Sequence, residues 1–111
     1  MTMRNILATI LMLFCQTANA VTIETFEKSD DVAQRIYLTG VIEGIIAQVV
    51  LLDSERGVNP NICVPNDIPV DHNLARSALE HYRKDATEDR DLYVAVVIAL
   101  ALDKLFPCSN N

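Results

Sequence analysis

The chain lacks tryptophan and has only three glycines, four prolines, three tyrosines and three phenylalanines in 111 residues. Half of the residues are nonetheless hydrophobic, so aliphatic side chains must form the core of one small folded domain. Basic residues are also scarce, with nine Lys and Arg against 15 Asp and Glu. Because nucleic-acid binding depends on neutralising phosphates, DNA and RNA are not expected partners.

Motifs that support catalysis are absent too. The sequence contains no phosphate-binding glycine loop and no HExxH pair. Ser77, His81 and Asp85 follow one another at four-residue spacing, but a nucleophilic site also needs oxyanion donors and a pocket that excludes water. His72 and His81 would lie on opposite sides of one helix, where they cannot share a metal. We expect no enzyme, no metal and no cofactor.

The N-terminus has the three parts of a secretory signal peptide. Arg4 provides a positive charge, residues 6–15 are almost entirely apolar, and small residues at Ala18 and Ala20 form a cleavage site. A transmembrane helix would need about twenty apolar residues, and the bulky Phe14 argues against lipoprotein processing at Cys15. The sequence predicts a signal peptide over residues 1–20 and a single exported domain over residues 21–111.

Two cysteines remain after this cleavage, Cys63 and Cys108. An exported chain reaches an oxidising compartment, where such a pair forms a disulfide. The alternatives are a reactive thiol or a zinc site, but there is no CxxC and no nearby pair of histidines. We predict a Cys63–Cys108 bridge.

Three helical segments account for most of the mature chain. The first covers residues 29–52 with Ser29 as its N-cap, the second starts at Pro69, and the third covers residues 92–106 after an N-cap at Thr87. The predicted fold is an all-α bundle of three to four helices, stapled by one disulfide. Gly40 and Gly44 each cost about 1 kcal/mol in the first helix, which a close helix packing would offset, unless they are merely tolerated.

The first helix has apolar residues on two nearly opposite sides. A 91-residue domain has little interior with which to cover both, and an uncovered stripe marks an interface. We therefore predict a homodimer through one stripe; in the alternative, the arm of residues 21–26 folds back over it. That stripe consists of Leu38, Ile42, Ile45 and Val49, and the opposite one of Ala33, Ile36, Tyr37, Gly40, Gly44, Ala47 and Leu51.

Several segments together resemble the Rap/Tai group of type VI secretion immunity proteins. They are Ile62-Cys63-Val64-Pro65, the second helix with Leu74, Leu79 and Tyr82, the end Leu105-Phe106-Pro107-Cys108, and Tyr37-Leu38-Thr39-Gly40 with Glu43-Gly44. The resemblance covers residues 33–108 and departs from the group's pattern at His72-Asn73 and at residues 85–87.

The resemblance implies a periplasmic immunity protein, which caps the active site of a peptidoglycan amidase injected by a neighbouring bacterium. Such an inhibitor needs no chemistry of its own. The expected contact is the polar loop of residues 53–67, since long ordered loops commonly carry function. Its candidate residues are Asp53, Glu55, Arg56, Asn59 and Asn61. After signal cleavage we expect no membrane partner.

Two other functional classes fit the same size and export. A small acid-stress chaperone of the periplasm would bind unfolded clients through apolar surface that low pH exposes. A cell-wall enzyme is the least favoured class, because the catalytic motifs are missing. The neighbouring genes distinguish the first two: an amidase gene favours immunity and an acid-resistance cluster favours the chaperone.

Overall fold

A computed structural model describes residues 20–54, 57, 60–85 and 90–108. The predicted all-α bundle is confirmed: the described residues form no strand and fold into four helices, α1 (Ile23–Lys28), α2 (Asp31–Ser54), α3 (His72–Asp85) and α4 (Val94–Leu105). α3 packs against both α2 and α4, which touch each other over a shorter stretch. The predicted signal peptide lies outside the described residues, except for Ala20, and so does Thr87.

All three predicted helices start later than expected: aspartates cap α2 and α3, and α4 begins at Val94, two residues after the predicted start, with Tyr93 as its N-cap. Ser29 ends α1, where its N–H donates to the Phe26 carbonyl at 3.1 Å. The carboxylate of Asp30 then accepts from the Ala33 N–H at 2.8 Å, so Asp30 is the cap that we had assigned to Ser29. Asp71 likewise accepts from the first backbone N–H groups of α3, which begins three residues after Pro69.

One of the two apolar stripes of α2 faces the core. Leu38 and Ile42 are fully buried, and Ile45 and Val49 are half-buried against the same core. Leu38 and Ile42 therefore cannot form the predicted dimer interface, because the rest of the bundle covers them within one chain. Ile45 and Val49 also line a depression between α2 and α4, and the homodimer itself stays a prediction. The described core is entirely apolar and consists of Ile23, Phe26, Leu38, Ile42, Ile62, Ala75, Ala78, Leu79, Val94, Val97, Ile98, Ala101 and Leu102.

The N-terminal arm folds back into this core, as the alternative held. Ile23 and Phe26 are buried, on a short helix that the sequence analysis did not predict. The backbone of Ile23 donates to the Leu92 carbonyl at 2.9 Å, and Val94 donates to the Val21 carbonyl at the same distance. These bonds hold the arm against the start of α4.

Polar side chains fasten α1 to α2 and α3. Gln34 donates to the carbonyls of Phe26 (2.9 Å) and Ser29 (3.1 Å), and it accepts from Arg76 at 3.2 Å. Glu27 pairs with Arg83 of α3. α1 is therefore an integral part of the bundle.

Tyr37 joins α2 to two neighbouring elements. Its ring centroid lies 6.0 Å from that of Phe26. Burial raises the pKa of the Tyr37 phenol, while a hydrogen bond with the Ala95 backbone lowers it. The phenol therefore lies where α2 meets the first turn of α4.

α2 is also long and apolar enough to cross a membrane over Asp31–Asp53, judged by length and composition alone. Core helices of soluble bundles pass the same test. Leu38 and Ile42 of this helix are fully buried in the bundle, but only 11% of its most apolar window is buried. The span also contains Arg35 and Glu43.

Candidate functional site

The segment after α2 is fixed to the C-terminus at one end of the bundle. The predicted disulfide is present, with the Cα atoms of Cys63 and Cys108 4.9 Å apart. The Cys63 N–H donates to the Phe106 carbonyl at 2.8 Å, and the Cys108 N–H donates to the Asn61 carbonyl at 3.4 Å. Ile62 between them is buried. One covalent bond and two hydrogen bonds therefore hold residues 61–63 in place. Restraint of this kind favours binding, because less conformational freedom is lost when a partner docks.

The five candidate contact residues divide into two groups. Asp53 and Asn61 are both exposed. Asp53 belongs to the last turn of α2, because the helix continues to Ser54 and not only to Leu52. Glu55, Arg56 and Asn59 lie outside the described residues.

An apolar depression lies between this loop and the end of α2, with a volume of about 460 Å³. Val50 of α2 is 56% exposed and Val70, just before α3, is 41% exposed. Both line the depression, as do Val64 and Ile68. Val50 was not among the predicted contact residues, and Val70 was predicted to lie within the second helix. The sequence feature that could have identified them is their position, since one valine stands on each side of the polar loop.

Acidic residues lie at the depression and next to it in sequence: Asp53 lines it, and Asp67 stands between the lining residues Asn66 and Ile68. Asp53 and Asp67 are exposed, and the described residues between positions 53 and 73 include no Lys or Arg. We name the surface formed by Val50, Asp53, Asp67 and Val70 the loop end. Apolar side chains beside acidic groups suit a protein partner with an apolar centre and a basic rim.

The other polar residues form no second site in the described part of the chain. There, no group of three or more His, Cys, Asp and Glu residues could hold a metal ion. Ser77 and His81 are exposed on α3, and the side chain of Asp85 lies outside the described set.

A second depression, of about 530 Å³, lies between α2 and α4. Gly40 and Gly44 line it, and a Cβ added to either would have no described atom within 4 Å outside its own helix. The predicted close helix packing at these glycines is therefore wrong within one chain. We name this surface the glycine groove.

The chain was also compared with known proteins. No family model, no curated protein and no solved structure matches it. Membership of the Rap/Tai group therefore stays a prediction that rests on the Cys-x-Pro and Phe-Pro-Cys segments, whose cysteines are bonded to each other.

Proposed function

We propose that this protein is a periplasmic immunity protein, which binds a type VI secreted peptidoglycan amidase and blocks its active site. The observation that carries the proposal is the loop end: a loop held by a disulfide, an apolar depression beside it, and the exposed acidic residues Asp53 and Asp67. The apolar N-terminal segment is compatible with export, and the disulfide fits an oxidising compartment.

Inhibition by docking follows from the chemistry of the target. An amidase with a Cys-His nucleophilic site must admit a cell-wall peptide to a cleft. A rigid protein surface seated over that cleft excludes the peptide without any reaction. Val50 and Val70 would supply buried apolar contact, and Asp53 and Asp67 would attract a basic rim.

The proposal is independent of the oligomeric state, since each chain carries its own complete loop end. It also does not rest on Glu55, Arg56 and Asn59, which the sequence predicts as contact residues but which lie outside the described residues.

A competition between sister cells tests this proposal. A strain that lacks this protein should be killed by its parent, and only when the parent has a working type VI apparatus. The wild-type protein should restore survival. The double variant Asp53→Lys with Asp67→Lys should fail to do so, because it reverses the charge of both acidic residues of the loop end.

The matched control is Glu43→Lys with Glu80→Lys, which makes the same change in net charge at exposed positions on the middle of α2 and on α3. This control should protect fully. Survival of the deletion strain beside its armed parent would contradict the proposed function. Full protection by the Asp53 and Asp67 variant would contradict the assigned surface.

The acid-stress chaperone is the second candidate, and exposed apolar side chains favour it. Val96 and Leu100 of α4 are about half exposed, at 52% and 54%, as a client-binding surface would require. In that case the deletion strain should survive its armed parent but die in an acid shock that wild-type cells tolerate. Exposing the wild-type and deletion strains to type VI attack and to acid shock therefore distinguishes an immunity protein from a chaperone.

A further inference from the structure

One side of α2 carries no charged residue and is only partly covered by the described chain. With 3.6 residues per turn, all four charged residues of α2, Asp31, Arg35, Glu43 and Asp53, fall on one half of its circumference. The other half carries Gly40 and Gly44 and leaves Ile36 68% exposed and Leu51 52% exposed.

The glycines of this side are unexplained within one chain. Glycine is the poorest helix former after proline, and no described atom outside α2 lies within 4 Å of where their Cβ atoms would be. Two glycines one turn apart leave a notch in the helix surface. A notch of this kind lets a side chain from another helix approach closely.

The opposite wall of the glycine groove carries side chains that match the notch. Val96 and Leu100 of α4 stand four residues apart and project as a ridge, since both are about half exposed. Ala95 and Ala99 beside them keep the groove open. Ridge and notch each extend about 6 Å along their helices, because a four-residue step rises about 6 Å.

We propose that the protein is a homodimer in which the Val96–Leu100 ridge of each chain fits the Gly40–Gly44 notch of the other. Because one face carries both halves of the contact, a two-fold axis through the groove forms both contacts at once. The face is therefore complementary to itself, and the partner that it fits is a second copy of this chain. The inference is independent of the proposed function.

The area of this face is close to what a stable dimer needs. α2 is about 36 Å long and α4 about 18 Å, and packed helices lie about 9 Å apart. Their outer face therefore measures on the order of 500 Å² in projection. Accessible area follows the side-chain relief and exceeds the projection, and stable interfaces begin at about 600 Å² per partner.

Charge also favours this arrangement over others. The mature chain has a net charge of −7, because Arg4 leaves with the signal peptide and eight basic residues face 15 acidic ones. Two such chains repel each other, so they are expected to meet through a face with few charges; among the described residues that line the glycine groove, Asp103 alone is charged. A bilayer with anionic headgroups would repel the same chain.

The test is the molar mass of the exported protein, purified from the periplasm and measured by sedimentation equilibrium. The wild type should have twice the mass of one chain at micromolar concentration. Gly44→Leu should weaken the dimer at least about 30-fold, as expected for a central interface residue. Its melting temperature at a monomeric dilution should not fall below that of the wild type, because the added side chain meets open space within the chain.

Val96→Asp should weaken the dimer to a similar extent by placing a charge in the notch. Val32→Asp is the matched control, since Val32 is 64% exposed and lies on the charged half of α2. This control should leave the dimer intact. A wild type that is monomeric throughout overturns the dimer, and a Gly44→Leu variant that dimerises normally overturns this interface.

Two other results identify different occupants. If the wild type is monomeric and Gly44→Leu abolishes protection in the sister-cell competition, the groove binds the amidase and the dimer proposal is wrong. If the monomer sediments with phosphatidylethanolamine–phosphatidylglycerol vesicles and Gly44→Leu does not, the groove binds lipid and the proposal is equally wrong.

Discussion

Replacement of Ile42 by Asp is expected to abolish the folded state. Ile42 is fully buried in a core that contains no polar residue in the described chain. A carboxylate at this position would have no hydrogen-bond partner, and an unpaired buried charge costs several kcal/mol. The total stability of a small domain is about 5–10 kcal/mol, and loss of the isoleucine side chain adds about 2–5 kcal/mol. The far-ultraviolet circular dichroism of the variant should show loss of helix.

Ile36→Asp is the matched control. It makes the same substitution in the same helix, six residues earlier, at a side chain that is 68% exposed. Surface substitutions change the free energy of unfolding by about 0.5 kcal/mol or less, so this variant should keep its helix content and, at a dilution where the protein is monomeric, its melting temperature. A folded Ile42→Asp together with an unfolded Ile36→Asp would mean that α2 presents its other stripe to the core.

Removal of the disulfide is the second large effect. The bridge joins residues 45 positions apart, and a closed loop of this length restricts the unfolded chain by about 4 kcal/mol in the loop-entropy model. The double variant Cys63→Ala with Cys108→Ala should therefore lose about 3–4 kcal/mol of unfolding free energy, which for a domain of this size lowers the melting temperature by roughly 15–25 °C. Urea unfolding of the two proteins measures the difference.

Reducing agent provides the control for this experiment. It should destabilise the wild type by the same amount and leave the double variant unchanged. The α2, α3 and α4 core should remain helical in the reduced protein at low temperature, because only Ile62 of the core lies next to a bridged cysteine. Equal midpoints for oxidised and reduced wild type would show that the bridge does not constrain the unfolded chain.

The helices were predictable because apolar spacing is a local feature of the sequence, and the disulfide was predictable because only two cysteines remain after the signal peptide. Apolar spacing indicated α2, α3 and α4. Pro107 stopped α4 one residue after Phe106, its C-cap. The bridge followed from cysteine number once Cys15 was assigned to the signal peptide. An all-α fold can be predicted without knowing how the helices pack against one another.

The inward face of α2 was not predictable from its sequence. Ile42 and Ile36 both lie on apolar stripes, so periodicity alone does not tell which side meets the core. The inward face is set by packing against α3, together with α1, whose Ile23 and Phe26 belong to the same buried cluster as Leu38. That short helix shows no helical repeat, because it is only six residues long.

The loop that carries the candidate site was predictable, but the apolar residues beside it were not. The polar residues between α2 and α3 indicated a loop, and Asp53 and Asn61 are exposed as expected. Val50 and Val70 were not identified, since an apolar residue near a helix end suggests core. Their exposure depends on how the loop crosses the end of the bundle, and this crossing is set by the Ile62–Pro107 pairing.

The most direct test of the proposed function is a titration of amidase activity. The attacking strain's type VI secreted amidase is purified, and its hydrolysis of peptidoglycan is measured with increasing amounts of this protein. We predict complete inhibition at one chain per amidase, and much weaker inhibition by the Asp53→Lys, Asp67→Lys variant than by the Glu43→Lys, Glu80→Lys control. Undiminished hydrolysis in the presence of excess wild-type protein would contradict the proposal.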